Sequence, residues 1–255
     1  MVGKVERYLL ERIRDAGAVH ITLIDPENVT PRGASFLACE GEAGGSSAVM
    51  IGGSTFVSST RLDNVVKAIK KVSKIPTILF PSNITGISKY ADAIWFMSLL
   101  NSSDPYFITG AQVLAAPLVK KYGLEAMPLG YLIVGEGGAA GVIGRACPIP
   151  FGNPELAVAH ALAAEYMGMR FVYLEAGSGV NKPVPAVMVQ MVSETVGVPL
   201  VVGGGIRTAD QAKAIVTAGC DIVVTSTVLE ESDKSSVGSK IEEIVEGIKE
   251  GVTGR

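Results

Sequence analysis

The sequence predicts a (β/α)8 barrel whose third helix is lost or replaced by a loop, and three observations carry that prediction. Eight short apolar runs recur along the 255 residues. Most alternate with stretches of helical periodicity, and one intervening segment is too short to hold a crossover helix. The runs are apolar nearly throughout instead of alternately, which suits strands buried on both faces in a parallel sheet wrapped by helices.

Taken in order, residues 1–17 (MVGKVERYLLERIRDAG) read as a short amphipathic helix, its charges interrupting any signal-peptide core. Strands follow at 19–26 (VHITLIDP), 47–54 (SAVMIGGS), 76–81 (PTILFP) and 93–99 (AIWFMSL). Four more lie at 126–133 (AMPLGYLI), 170–175 (RFVYLE), 199–204 (PLVVGG) and 221–226 (DIVVTS). Between them, Leu62, Val65, Val66 and Ile69 mark the buried face of the helix after the second strand, and Leu114, Leu118 and Val119 that of the helix after the fourth. Asn153-Pro154-Glu155 opens another, with an N-cap residue followed by proline at the first helical position. Residues 209–218 form a short Ala-rich helix stopped by Gly219, and 240–249 repeat Ile241, Ile244, Val245 and Ile248 at helical spacing. Only SNITGISK separates the third strand from Tyr90, hence the irregular third unit. No linker or low-complexity stretch interrupts the pattern, so residues 1–255 are expected to form one barrel domain.

Composition narrows the function. Hydrophobic residues make up 48% and charged ones 18%, with 30 glycines, as in a packed core with many tight turns. The net charge is −3 with both signs interspersed, and no basic, aromatic-interleaved patch favours nucleic acid. Cys39, Cys147 and Cys220 lie far apart, without metal-ligand spacing, and read as idle thiols of a reducing compartment. His20 and His160 have no evident nucleophile partner and read as packing or surface residues. No uncharged apolar stretch reaches the roughly 18 residues of a membrane span. A cytoplasmic protein is expected.

In such barrels the chemistry sits at the C-terminal ends of the strands. Gly203-Gly204-Gly205 after strand seven frees backbone N–H groups beside a helix starting near Thr208, an arrangement suited to a phosphate monoester, which Ser226 and Thr227 after strand eight would complete. Asp25, closing strand one, either caps its loop or ligates a hard cation such as Mg2+, with Ser54 at the neighbouring strand end supplying a hydroxyl. Glu175 ends strand six between these two places. It suits a general base or an acceptor toward a hydroxyl, and Tyr173 shares its face of the strand.

The stretches HITLIDPE (20–27), MIGGST (50–55), WFMSLLNSSDPYFITGAQ (95–112), YLEAGSG (173–179) and VGGGIRT (202–208) together resemble the geranylgeranylglyceryl phosphate synthase family, in the subgroup with the longer sequence after strand four and with bacterial relatives. The resemblance implies a modified TIM barrel without its third helix, and a Mg2+-dependent prenyltransferase of membrane ether-lipid synthesis. Such an enzyme joins the 3-hydroxyl of sn-glycerol 1-phosphate to a polyprenyl (geranylgeranyl) diphosphate. Carried across, Asp25 and Ser54 would hold Mg2+, and Tyr173, Leu174, Glu175, Ala176, Gly177, Ser178, Gly179, Gly204, Gly205, Ser226 and Thr227 would hold glycerol phosphate. Glu175 would accept the hydroxyl proton, with Tyr173 as the second catalytic residue. Trp95, Phe96, Met97, Tyr106, Phe107 and Ile108 are candidates for the prenyl groove. The resemblance further implies a homo-oligomer, dimer or hexamer, and allows peripheral membrane contact. The chain departs from the family pattern at Asn28, where many members have lysine, and at Ser226, where many have glycine. The rival readings are a phosphate-binding isomerase, lyase or aldolase, for which no lysine stands at a strand end, and a barrel that only binds a phosphorylated metabolite.

Overall fold

A computed structural model of the chain describes residues 2–53, 55, 57–226 and 236–255. Eight parallel strands close in sequence order: β1 (Val19–Ile24), β2 (Ala48–Ile51), β3 (Thr77–Leu79), β4 (Ala93–Leu99), β5 (Glu125–Ile133), β6 (Phe171–Glu175), β7 (Leu200–Gly203) and β8 (Ile222–Thr225). Closure pairs Val19 of β1 with Ile222 of β8. Seven strands fall within two residues of their expected bounds and β2 ends three residues early, because continuous apolar runs bounded by Pro, Gly or Ser leave little freedom in placing a doubly buried strand.

The helices are α1 (Lys4–Ala16), α2 (Pro31–Ala43), α3 (Ser59–Lys70), α4 (Ala111–Tyr122), α5 (Gly138–Ile143), α6 (Pro154–Tyr166), α7 (Ala186–Ser193), α8 (Ala209–Thr217) and α9 (Val237–Thr253). Leu62, Val65, Val66 and Ile69 are buried on α3, as are Ile241, Ile244 and Ile248 on α9. Asn153 caps α6 by accepting from Leu156 N, with Pro154 at the first helical position. The face expected for α4 needs correction. Leu114 is 59% exposed, and Ala115 and Val119 are the buried residues. A π-helical turn, Tyr106–Gly110, precedes α4 and is pinned to β4 where Ser98 Oγ donates to Ile108 O at 2.7 Å. Ala111 and Ala115 thus turn toward the cleft, and Leu114 turns outward.

The core has two layers. One lies between the sheet and the helices, and the other fills the barrel with Ile21, Met50, Ile78, Trp95, Phe171 and Val201. Trp95 packs edge-on to Phe171 with ring centroids 5.0 Å apart. At the N-terminal end, Val5 and Leu9 of α1 join the inner layer and close the barrel floor. Glu125 accepts from Val5 N and Glu6 N, both at 2.8 Å, placing a negative charge at the positive end of α1. Glu6, 1% exposed, receives a bidentate pair from Arg170 at 2.6 and 2.7 Å. With the floor sealed, the opposite end is where a ligand enters.

Between β3 and β4 stands only a 3-10 turn, Ile84–Gly86, in place of a helix. Polar side chains strap it down: Asn83 accepts from Thr85 N at 2.8 Å, Thr85 Oγ1 donates to Val57 O at 2.8 Å, and Ser88 Oγ donates to Asp63 at 2.6 Å. The barrel wall is therefore thin on this side. His20 is a buried polar packing residue, its ring nitrogens 2.8 Å from Ser46 Oγ and Thr225 Oγ1, and burial lowers its pKa to about 3.

Candidate active site

An apolar cleft opens at the C-terminal end of the barrel, where the third helix is missing. Phe80, Ile84, Ile87, Trp95, Met97 and Phe107 line it, and its inner end reaches Asp25, Glu175, Ser178 and Ser226. A narrower pocket adjoins, bounded by Tyr173, Glu175, Ser178, Gly204, Gly205, Arg207 and Ser226. Leu23, Glu175, Ser178 and Ser226 line both cavities, so the apolar and the polar space meet at the Glu175 carboxylate.

Glu175 ends β6 with 6% of its surface exposed, and its Oε1 accepts from Gly177 N at 2.7 Å. That bond turns the chain immediately after the strand. Gly177 packs so closely on Gly137 and Gly138 of the β5–α5 loop that a Cβ would fall 2.6 Å from their backbone atoms. Burial pushes the Glu175 carboxyl above the ordinary glutamate range, opposed in smaller measure by the Gly177 N–H and by Tyr173. The Tyr173 hydroxyl lies within electrostatic reach of the carboxylate but outside hydrogen-bonding geometry, directed at Gly203 where a Cβ would clash.

Tyr173 is 1% exposed and belongs to an aromatic floor. Its ring stacks on Phe80 at 5.6 Å and meets Tyr131 edge-on at 5.2 Å. Tyr131, from β5, lines the cleft and escaped the sequence reading because it stands inside an apolar run. The signal lay in the ladder: Tyr131 pairs directly with Tyr173, so the two share a face. Burial raises the pKa of both phenols, with the nearby Glu175 charge adding to it.

The glycines after β7 adopt left-handed backbone, φ 83° at Gly204 and 72° at Gly205. The donors differ in part from those expected of a helix N-terminus. Thr208 and Gln211 form a capping box, and Gln211 Oε1 accepts from Arg207 N at 2.7 Å and Thr208 N at 3.2 Å. The helix start is thus largely satisfied by its own side chains. Among the described residues, Gly205 and Ile206 line the pocket and their main-chain N–H groups are not taken up by the capping box. The pocket also receives Ser226, whereas Thr227 and Ser54 lie outside the described residues. Leu174 and Ala176 are buried with their side chains in the layer between sheet and helices, so only their main chain is available to a ligand. Ser178 borders the pocket, whereas Gly177, which donates to Glu175, lies behind it in the tight turn and Gly179, at φ 77°, completes the bend.

Asp25 is half-buried across the mouth. Its Oδ1 accepts from Glu27 N at 2.9 Å, and the carboxylate lies over Gly53, where any Cβ would collide with it. Burial raises its pKa, and the Glu27 N–H works against the rise. Among the described residues no three His, Cys, Asp or Glu side chains gather as a metal cluster. A single carboxylate held over a glycine still suits Mg2+, which binds through one or two carboxylates and completes its shell with substrate phosphates and water.

Fold and cavities together define a TIM barrel in which a small glycine-walled pocket meets an apolar cleft at a buried carboxylate. The chain belongs to the PcrB family, whose profile matches residues 10–248. The geranylgeranylglyceryl phosphate synthase of Thermofilum pendens is 52% identical over 255 residues, covering 100% of this chain and 99% of its own. That of Pyrococcus abyssi is 53% identical over 250 residues, covering 97% and 99%. The crystal structure of (S)-3-O-geranylgeranylglyceryl phosphate synthase from Thermoplasma acidophilum, in complex with sn-glycerol-1-phosphate, superposes with a TM-score of 0.93 at 40% identity, covering 98% of this chain and 100% of that one. Thiamine phosphate pyrophosphorylase from Pyrococcus furiosus reaches a TM-score of 0.61 at 13% identity, which speaks for the barrel alone.

Proposed function

We propose that this chain is a Mg2+-dependent prenyltransferase that forms the ether bond between the 3-hydroxyl of sn-glycerol 1-phosphate and geranylgeranyl diphosphate, a step of membrane ether-lipid synthesis. One observation carries the reading: a long apolar cleft and a small anion-type pocket share Glu175 as a common wall. A reaction joining an apolar chain to a phosphorylated polyol needs that junction. The relatives of about half-identical sequence carry the name of this enzyme, and a barrel of the same fold binds sn-glycerol-1-phosphate.

In this mechanism the phosphate of glycerol phosphate lies against the Gly205 and Ile206 N–H groups, beside Ser226. Its C3 hydroxyl is directed at Glu175. The Phe80, Tyr131 and Tyr173 rings close the floor and keep water from the reacting carbon. The hydroxyl oxygen bonds to C1 of the prenyl group as the C1–O bond to diphosphate breaks. Diphosphate leaves with the electron pair, and the hydroxyl proton passes to Glu175. A raised pKa suits this task, since a buried carboxylate is a stronger base than an exposed one. Asp25 would hold Mg2+, which when bound supplies positive charge to the leaving diphosphate. The prenyl tail lies along Trp95, Met97 and Phe107 and leaves the barrel past Ile84, through the gap left by the missing helix.

The same reading places the enzyme in the cytoplasm as one barrel domain and a homo-oligomer. Exposed Tyr166 and Met167 at the end of α6 and Val187 on α7 offer apolar surface for a second copy. The test is transfer of label: incubation with labelled sn-glycerol 1-phosphate, geranylgeranyl diphosphate and Mg2+ should move label into an organic-extractable product. Failure with every prenyl chain length would refute the reading.

A further inference from the structure

Arg61 stands on the first turn of α3, outside both cavities, and its guanidinium gathers one neighbouring loop. Its Nε donates to Pro26 O at 2.7 Å, and one terminal nitrogen donates to Glu27 O at 2.8 Å and Val29 O at 3.2 Å. The Glu27 carboxylate lies 3.6 Å from Nε. These three carbonyls belong to the residues directly after Asp25. Three acceptors directed at one point repel each other unless a multivalent donor stands between them, and a planar guanidinium supplies that fork where a lysine ammonium, a point charge on a flexible stem, does not.

The anchor itself is rigid. Ser58 caps α3 by accepting from Arg61 N at 3.3 Å, and Val57 O accepts from Thr85 Oγ1 at 2.8 Å, tying the start of α3 to the strapped turn after β3. A chain of polar contacts therefore runs from the irregular third unit through Arg61 to the loop that carries Asp25. Among the described residues Asp25 bonds within its own turn, its Oδ1 accepting from Glu27 N at 2.9 Å and its main-chain oxygen from Asn28 N at 3.2 Å. The carboxylate rests against Gly53 of the neighbouring loop, so its direction depends on how the β1–α2 loop is held.

We propose that Arg61 is a positioning residue: by holding the carbonyls of Pro26, Glu27 and Val29 it fixes the β1–α2 loop so that Asp25 faces the cleft, and it thereby sets affinity for a divalent cation with diphosphate without touching either. This rests on the assignment of Asp25 above. The side chain is 42% exposed, so its replacement leaves the core intact.

The experiment compares the wild type with Asp25→Asn, Arg61→Met and Arg61→Lys, using Mn2+ with inorganic pyrophosphate as probe and electron paramagnetic resonance to count bound Mn2+. Calorimetric binding of sn-glycerol 1-phosphate is measured in parallel. Loss of a residue that orients a metal ligand weakens metal affinity by about 10–100-fold. That loss is expected in both Arg61 variants, with glycerol phosphate affinity within about twofold of wild type. Wild-type Mn2+ binding in Arg61→Met beside a loss in Asp25→Asn would overturn the proposal and leave Asp25 in place. Equal binding by wild type and Asp25→Asn would overturn the Asp25 assignment and this proposal with it. A parallel fall in glycerol phosphate affinity would reduce Arg61 to a general structural role, and full rescue by lysine would show that charge alone suffices; either result contradicts the carbonyl clamp.

Discussion

Replacing Gly204 with alanine should disable the site while leaving the barrel folded. The new Cβ would lie 2.5 Å from Glu175 Oε1, 2.6 Å from Gly177 N and 2.8 Å from Gly177 O, all well inside van der Waals contact. It would therefore press on both partners of the bond that orients the carboxylate. Two costs are expected. Holding a non-glycine residue at φ 83° costs about 1–2 kcal/mol, and losing a hydrogen bond to a charged group costs about 1.5–3 kcal/mol. A domain stable by roughly 5–15 kcal/mol survives that combination. Relieving the overlap moves Glu175 by about 1 Å, and a displacement of that size at a reacting group lowers turnover on the order of 100-fold. The assay is steady-state turnover with glycerol phosphate and prenyl diphosphate, beside a urea denaturation curve. A folded Gly204→Ala protein turning over within twofold of wild type would refute the claim that Glu175 is held by this packing.

Three further outcomes follow from the same structure. Glu6→Ala strips Arg170 of its bidentate partner on the barrel floor and should cost about 2–3 kcal/mol in urea denaturation, with turnover per folded molecule unchanged, because the floor is at the other end from the site. Asp25→Asn should raise the Mg2+ concentration needed for half-maximal rate, and an unchanged Mg2+ titration would place the ion elsewhere. The acid limb of kcat/KM should lie above the ordinary glutamate value of about 4.3, since the base works unprotonated and burial raises its pKa. The sign for stability runs the other way. The folded state holds the Glu175 proton more tightly than the unfolded chain does, so the cost of burying its charge is present in full above the folded-state pKa and is relieved as pH falls through it. Glu175→Gln should accordingly melt no lower than wild type at neutral pH.

What the sequence revealed, and what it hid, divides along physical lines. Doubly buried parallel strands announce themselves as continuous apolar runs, so the strand ends carrying Asp25, Glu175 and Gly203 were legible, as was the truncated third unit. Leu114 was assigned to the wrong face because the larger side chain was taken as the buried one, whereas Ala115 is buried and lines the cleft. Tyr131 stayed hidden because its role depends on pairing with Tyr173 across the ladder, a register that periodicity within one strand does not contain. Arg61 was not singled out, because its partners are main-chain carbonyls, which leave no trace in side-chain pattern. The glycine run after β7 was read as freeing main-chain N–H groups beside a helix start; the structure shows left-handed backbone at Gly204 and Gly205, and a Thr208–Gln211 capping box that takes donors the helix start would otherwise offer.

Glu175 at the junction of cleft and pocket is the centre of the account, and Glu175→Gln tests it most directly. Turnover and calorimetric binding of sn-glycerol 1-phosphate are measured on the same preparation. Loss of a general base lowers rate by about 100- to 10,000-fold, and that fall is expected with glycerol phosphate affinity nearly intact, since Gln keeps the shape and one acceptor for the hydroxyl. Wild-type turnover in that variant would contradict the account and leave Glu175 as no more than the anchor of its own loop.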